Sequence, residues 1–136
     1  MIKRITIEGF QSHENTVVDL VNGLNILTGS SDSGKTAVLR AVKWVALNVP
    51  TGDSYVNQKV GYAKVTIETD KGTVTKTRKG KKTAYEVNGT VYEKSEVPQE
   101  VSEILGIEPV AFSFQVFAFG LLQLCLQCLY LTVEFR

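Results

Sequence analysis

The stretch Gly29-Ser30-Ser31-Asp32-Ser33-Gly34-Lys35-Thr36 decides how this sequence is interpreted. It fits G-x-x-x-x-G-K-[ST], a pattern that forms a phosphate-binding loop. Residues 23–28 before it are predicted to form a short buried strand, and residues 37–48 after it an amphipathic helix. The pattern requires a strand, a glycine-containing loop and a helix in this order. This context favours a real loop over a chance match.

Each fixed position of this P-loop has a chemical reason. Gly29 and Gly34 let the backbone bend around an anion, and the next helix adds its unpaired N–H groups and the positive end of its dipole. Lys35 is expected to place its charge on the β- and γ-phosphates and to serve catalysis. Thr36 is expected to offer a hydroxyl oxygen to Mg²⁺. The variable residues 30–33 complete the predicted nucleotide-binding set, and no chemistry is assigned to the Asp32 side chain.

Length and composition limit the number of domains but do not identify a partner. Its 136 residues suffice for one domain with a core, and its net charge of +1 favours no class of ligand. Met1-Ile2-Lys3-Arg4 leads into alternating residues and not into an apolar stretch, so no secretory signal is expected. Cys125 and Cys128 form no disulfide framework, so a reducing, cytoplasmic setting is expected. Their C-x-x-C spacing lacks the second ligand pair that a zinc site requires.

Alternation of apolar and polar residues predicts further strands, which are Ile2–Glu8, Thr16–Leu20, Lys64–Thr69, Gly72–Arg78, Thr83–Val87 and Thr90–Tyr92. Residues 9–15 are predicted to be a turn, and Asn88-Gly89 a tight hairpin turn. Residues 63–92 therefore indicate an antiparallel meander with one solvated face. The P-loop helix carries an apolar stripe of Val38, Ala41, Val42, Val45 and Val49. A second helix, Glu96–Leu105, is predicted to be capped by Ser95.

The order of these elements resembles a known family. The segment Ile2-Lys3-Arg4-Ile5-Thr6-Ile7-Glu8-Gly9-Phe10-Gln11-Ser12-His13, followed by Gly23–Gly29 and the P-loop helix, resembles the start of SMC-type ATPases, especially SbcC-like subunits of DNA double-strand-break repair nucleases and their phage relatives. The resemblance covers about residues 1–113. It implies an α/β fold, the N-terminal half of an ABC-type P-loop NTPase head with an antiparallel β-subdomain.

The resemblance also implies domain boundaries, cofactors and partners. Residues 1–108 would form the N-terminal lobe, with a β-subdomain at about 1–20 and 60–94, and residues 109–136 a separate apolar segment. ATP and Mg²⁺ would bind between two heads, and hydrolysis would be coupled to DNA and a nuclease subunit. The Walker B acid, the catalytic glutamate and the signature motif come from a C-terminal segment in this family, and none is found in this sequence. We therefore expect ATP binding, with hydrolysis only after completion by that segment and a second head.

Residues outside the P-loop are assigned by the same resemblance. An arginine often follows the aromatic residue of the first turn in this family, and here Gln11 stands in its place. Ser12 and His13 fit the pattern; Ser12 is assigned to nucleotide binding, and His13 is expected to be an exposed turn residue. A glutamine that contacts Mg²⁺ and the attacking water is assigned to Gln115, with Gln123 as the alternative.

A stretch that contains basic residues and no interspersed acid indicates a second candidate binding surface. Its basic residues are Lys71, Lys76, Arg78, Lys79, Lys81 and Lys82. On a hairpin such residues bind DNA phosphates without reading sequence. We assign this role to Arg78, Lys79, Lys81 and Lys82. The alternative is a solvated turn in which lysine protects a strand edge from unwanted pairing.

The C-terminal composition changes abruptly. Residues 109–133 carry no charge, and five of the six phenylalanines lie beyond residue 110. A membrane helix is disfavoured by three glutamines, by Gly120 and by the lack of a flanking basic cluster, so no membrane association is expected. A core element of the ATPase head and a non-native tail are the other interpretations. The fading of the resemblance near Ser113 favours the tail slightly.

Two other functions remain open at this stage. A small P-loop nucleotide kinase would need an arginine-rich lid, but Arg4, Arg40 and Arg78 are the only arginines before the C-terminal residue. A non-enzymatic DNA-binding module, or an inactive remnant, would need no catalytic groups at all.

Overall fold

The computed structural model describes residues 1–29, 34–94 and 96–106. Several predictions fall outside these ranges and concern Ser30, Ser31, Asp32, Ser33, Ser95, Gln115, Gln123 and segment 109–136 with Cys125 and Cys128. Within the described part, no helix is long and apolar enough to cross a membrane.

The described residues build one antiparallel sheet in the order β2-β1-β3-β4-β5-β6. Its strands are β1 (Ile2–Phe10), β2 (His13–Asp19), β3 (Ala63–Thr69), β4 (Thr73–Lys79), β5 (Lys82–Val87) and β6 (Thr90–Tyr92). The β5–β6 turn is the predicted Asn88-Gly89 hairpin, with φ of 50° at Asn88 and 87° at Gly89. Both residues thus adopt the left-handed backbone that a two-residue hairpin of this type requires.

One face of the sheet is apolar because the strands alternate. Ile5 and Ile7 of β1 lie on this face, opposite Ile67 and Val65 of β3, and all four are almost fully buried. Thr6, between the two isoleucines, lies on the outer face. The period-two pattern therefore predicted the buried face correctly.

Two helices cover the apolar face. Helix α1 spans Lys35–Leu47 and helix α2 spans Gln99–Leu105. The predicted stripe on α1 is buried except for Val49, which lies beyond the helix end and is 42% exposed. Helix α2 begins after Pro98, three residues later than predicted, because proline fixes φ and suits the start of a helix.

Trp44 is the largest fully buried side chain of α1. Its ring lies 5.6 Å from that of Phe10 and 4.9 Å from that of Tyr55, measured between centroids. This aromatic cluster joins α1 to the end of β1 and to the loop before β3. Truncating such a buried side chain typically costs about 3–5 kcal/mol of stability. The helical stripe proposed from the sequence did not include Trp44.

Two sequence predictions about β1, β2 and the segment after them were wrong. Residues 9–15 are not a long turn, because β1 continues to Phe10 and β2 begins at His13. Residues 23–28 do not form a buried strand: Leu24 is 64% and Ile26 66% exposed. A strand needs a neighbour with which to pair, and in the described part of the chain no strand pairs with this segment.

Lys76 was predicted to belong to an exposed basic run, but it is fully buried in β4. Its Nζ donates to the Trp44 carbonyl oxygen at 2.9 Å and to Asn48 Oδ1 at 2.5 Å. It also lies 4.4 Å from the Trp44 ring centroid. The Tyr85 hydroxyl donates to the Val45 carbonyl oxygen at 3.2 Å. Side chains of the sheet thus bind two carbonyls near the C-terminal end of α1, and the Trp44 carbonyl also accepts from the Asn48 N–H at 3.0 Å.

Burial lowers the pKa of Lys76 from 10.5 to about 7, and the positive charge of Arg78 acts in the same direction. Between about pH 7 and pH 10.5 the unfolded chain carries a proton on Lys76 that the folded chain lacks. Unfolding then takes up a proton, so the free energy of unfolding rises with pH.

We predict that Lys76→Met removes this part of the pH dependence. The difference in unfolding free energy, wild type minus variant, should increase between pH 7.5 and 9.5 by at most about 1.4 kcal/mol per pH unit. Urea denaturation at three pH values measures it. Lys71→Met, the same change at an exposed lysine, is the control. A difference that is constant with pH for Lys76→Met contradicts the prediction.

Candidate phosphate-binding site

The connection between β1 and β2 is held in place by the loop that precedes β3. The Gln11 N–H donates to the Tyr55 carbonyl at 2.7 Å, and the Asn57 side chain donates to the Gln11 carbonyl at 2.8 Å. The Asn57 N–H donates to the Gly9 carbonyl at 2.8 Å. Two of these bonds hold Gln11 and the third holds Gly9 at the end of β1. Together they fix the connection of two residues, Gln11 and Ser12, although Gln11 has a φ of 51°.

Gly9 allows this arrangement. Its φ is +63°, and a Cβ at this position would lie 1.9 Å from the carbonyl oxygen of Tyr62. Any side chain would push β1 away from the chain that enters β3. The absence of a side chain thus brings Phe10 and the β1–β2 connection into position.

The described ends of the P-loop meet at the start of α1. Gly34 adopts a left-handed conformation with φ of 85°, and α1 begins at the next residue. Lys35 Nζ donates to the carbonyl oxygen of Gly29, which joins the two ends of the loop. Thr36 is exposed in the first turn, and that turn contains no acidic residue. The first-turn N–H groups and the positive end of the α1 dipole therefore lie beside Lys35, and that turn contributes no opposing carboxylate.

His13 is not the exposed turn residue that the sequence predicted. It is the first residue of β2 and is partly buried. Its Nε2 lies 2.8 Å from the Gly34 carbonyl oxygen, and its Nδ1 lies 2.8 Å from Thr16 Oγ1. A Cβ at Gly34 would approach His13 Nε2 to 2.6 Å and Ser12 Oγ to 3.0 Å. The β1–β2 connection is therefore packed directly against the P-loop.

Gln11, which replaces the arginine of the resembling family, accepts a long hydrogen bond from a neighbouring arginine. The donor is Arg40 Nη1, at 3.4 Å from Gln11 Oε1. Arg40 lies one helical turn beyond Thr36 on α1. The structure thus places a guanidinium beside this position, although it comes from the helix and not from the connection.

The basic residues assigned to DNA do not all share one surface. Lys79 and Lys82 are exposed and directly opposite each other on β4 and β5, and Lys81 is exposed in the turn between them. Arg78 lies on the other face, with its Nε buried and its Nη1 donating to Thr83. Burial raises the pKa of the Tyr55 phenol, and the charge of Arg78 opposes that rise. Arg78 thus belongs to the helix-covered face, apart from the three lysines.

The basic turn and the P-loop contact lie at the same end of the sheet. The register places Glu8 opposite Lys64, Lys64 opposite Thr77, and Thr77 opposite Ala84. The β1–β2 and β4–β5 connections therefore lie at the same end of the sheet. Lys71, in the β3–β4 connection, lies at the other end.

Comparison with known proteins identifies the family. A protein-family model described as an AAA domain matches residues 4–123, which is most of the chain. The chain belongs to the AAA-domain family. The match includes both described ends of the P-loop and all of the sheet except Ile2 and Lys3.

Two curated relatives of this AAA domain are described as DNA double-strand break repair Rad50 ATPases. The protein of Methanococcus maripaludis is 27% identical over 130 residues, a match that covers 86% of this chain and 13% of the relative. The protein of Methanopyrus kandleri is 43% identical over 42 residues, or 31% of this chain and 5% of the relative. The chain therefore spans a small part of the length of these relatives.

Solved structures of the recombination mediator protein RecF share the fold. The RecF–ATPrS structure superposes with a TM-score of 0.62 at 17% identity over 77% of this chain and 29% of that one. The RecF–ATP structure superposes with a TM-score of 0.61 at 17% identity, and the match covers 84% of this chain and 34% of that one. Together these matches confirm the predicted class, a P-loop NTPase head segment of the SMC/SbcC-like type with an antiparallel sheet.

We predict that Gly9→Ala destabilises the AAA domain more than Gly61→Ala does. Gly61 has a φ of +80°, but a Cβ there would meet nothing within 4 Å. Both variants incur backbone strain, and only Gly9→Ala adds the collision with the Tyr62 carbonyl. Its cost should exceed that of Gly61→Ala by about 2 kcal/mol or more. Urea denaturation of the two variants measures the difference, and equal costs would contradict the geometry of this connection.

Proposed function

We propose that this AAA domain binds Mg-ATP at Gly29–Thr36 as part of an SMC/SbcC-like ATPase head that acts in DNA repair or recombination. The observation that carries the proposal is the placement of Gly34, Lys35 and Thr36 at the start of α1, in a first turn without an acid. Backbone N–H groups, the helix dipole and one ammonium group converge there, and each favours a phosphate.

The residues present suit the magnesium ion that accompanies ATP. Mg²⁺ takes few ligands from a protein and completes its shell with water and phosphate oxygens. Thr36 offers one hydroxyl oxygen in the first turn of α1. Among residues 1–29, 34–94 and 96–106, no cluster of His, Cys, Asp and Glu forms a separate metal site. Magnesium in this position would neutralise phosphate charge, while Lys35 and the helix N-terminus orient the phosphates.

The assignment to DNA repair is supported by the relatives, two of which are described as DNA double-strand break repair ATPases. RecF, whose fold is shared, is described as a recombination mediator with bound ATP. We further propose that a second head and a C-terminal segment supply the acid that polarises water, and that a nuclease subunit joins the complete cytoplasmic protein. Lys35 would then contribute to catalysis in addition to binding.

We predict that Lys35→Ala weakens Mg-ATP binding by about tenfold or more, because a charged hydrogen bond to phosphate is worth about 1.5–3 kcal/mol. Isothermal titration calorimetry with Mg-ATP measures the affinity. Lys71→Ala is the matched control, since it removes the same charge from the far end of the sheet. Equal affinities for wild type and Lys35→Ala would overturn the proposed site.

The three lysines of the β4–β5 turn support a DNA contact of the same head. Like charges that face each other across strands destabilise a sheet, yet Lys79 and Lys82 are direct neighbours. None of the ion pairs in the described part of the chain includes Lys79, Lys81 or Lys82. A polyanion would relieve this repulsion, as DNA phosphates do for clustered lysines.

We predict that the double variant Lys79→Ala/Lys82→Ala binds duplex DNA more weakly and with a smaller salt dependence. Each lost phosphate contact should lower the slope of log affinity against log salt by about 1. Fluorescence anisotropy at several salt concentrations measures both. The control is the double variant Lys3→Ala/Lys71→Ala, which removes the same charge at the opposite end of the sheet. If the two double variants behave alike, the β4–β5 turn is not a DNA contact.

A further inference from the structure

We propose that Asn22 is a site of spontaneous covalent modification, at which the side-chain amide becomes a carboxylate through a cyclic imide formed with Gly23. The sequence contains two Asn-Gly pairs, Asn22-Gly23 and Asn88-Gly89, and a valine precedes each of them. Glycine favours this chemistry because it has no side chain to shield the attacking backbone nitrogen. The folded chain holds the two pairs differently, and this difference singles out Asn22.

The reaction needs water and no other partner. The backbone nitrogen of Gly23 attacks the side-chain carbonyl carbon of Asn22 and forms a new C–N bond. The bond from that carbon to the amide nitrogen breaks, and the amide nitrogen leaves as ammonia with the proton that the Gly23 nitrogen gives up. Water then opens the cyclic imide at either of its carbonyl carbons, which yields aspartate or isoaspartate. No oxidant or reductant takes part.

Both reacting groups of the first pair are open. Asn22 is exposed, and a Cβ at Gly23 would meet nothing within 4 Å. The turn itself is held by Asn25, whose side chain accepts from the Val21 N–H at 2.8 Å and donates to the Val21 carbonyl at 2.9 Å. Within the described part of the chain, neither the Asn22 side chain nor the Gly23 N–H takes part in a hydrogen bond. The amide of Asn22 therefore turns towards the Gly23 nitrogen without breaking a bond.

The second pair is held by Thr73 at two points. The Asn88 N–H donates to the Thr73 carbonyl oxygen at 3.0 Å, and Asn88 Oδ1 accepts from the Thr73 N–H at 2.9 Å. The same amide lies against Gly72, where a Cβ would be 2.3 Å from Asn88 Oδ1. Ring closure requires the side chain to turn towards the Gly89 nitrogen, which pulls it away from Thr73. Giving up one neutral hydrogen bond slows such a step by about three- to tenfold.

The modification lies in the connection from β2 to the P-loop. Strand β2 ends at Asp19, and the P-loop begins at Gly29. Aspartate at position 22 adds a negative charge, which takes the formal net charge of the chain from +1 to zero. Isoaspartate also routes the main chain through the side-chain methylene and so lengthens this connection. The proposal does not depend on nucleotide binding and applies to the chain without ATP.

Peptide mapping by mass spectrometry, after incubation of the intact chain in mildly alkaline buffer without nucleotide, measures both conversions in one sample. We expect Asn22 to convert faster than Asn88 by about threefold or more, with aspartate and isoaspartate as products. In urea that unfolds the chain the two rates should become equal, because the same residue precedes each pair. Equal rates in the folded chain, or faster conversion of Asn88, would overturn the proposal.

The variant Asn22→Gln tests the site directly. It keeps an exposed amide at position 22 but moves it one methylene farther from the Gly23 nitrogen, which disfavours ring closure. We expect the mass gain of the folded chain to slow by about threefold or more, to the rate set by Asn88. The rate at Asn88 itself should be unchanged, since Asn22 makes no contact with the β5–β6 turn. A mass gain that continues at the wild-type rate would show that the reaction occurs elsewhere and would overturn the assignment.

Discussion

The packing of α1 on the apolar face of the sheet is the interaction on which the rest of the structure depends. Trp44 joins the helix to Phe10 and Tyr55, and this contact fixes the β1–β2 connection as well as the core. The phosphate site is built at one end of the same helix. Its geometry is therefore a consequence of hydrophobic packing along a helix about 20 Å long, more than of the loop sequence alone.

Polar contacts complement this packing at both ends of α1. At the C-terminal end, Lys76 and Tyr85 bind the carbonyls of Trp44 and Val45. At the N-terminal end, His13 binds the carbonyl of Gly34. Burying a lysine without an acidic partner costs free energy, but its amino group here meets two oxygens and two aromatic rings. The sheet thus adds side-chain hydrogen bonds to carbonyl oxygens at both ends of the helix.

The sequence predicted the parts of this arrangement that follow from local pattern. Alternation located the six strands of the sheet, and the stripe from Val38 to Val45 located the buried side of α1. The sequence-based prediction failed for residues whose burial or contacts depend on distant parts of the chain. Leu24, Ile26 and Leu27 indicated a buried strand, but periodicity does not reveal whether a pairing strand is present. His13 and Lys76 are polar residues whose partners are distant in sequence, so nothing near them indicated a contact with Gly34 or Trp44.

The attachment of α1 at both ends restricts how this domain can move. A tilt of the helix relative to the sheet would break bonds to Lys76 and Tyr85 at one end or to His13 at the other. Helix and sheet are therefore one mechanical body. A displacement of the start of α1 would therefore also act on the sheet, and the turn of Lys79–Lys82 lies at the same end of that sheet.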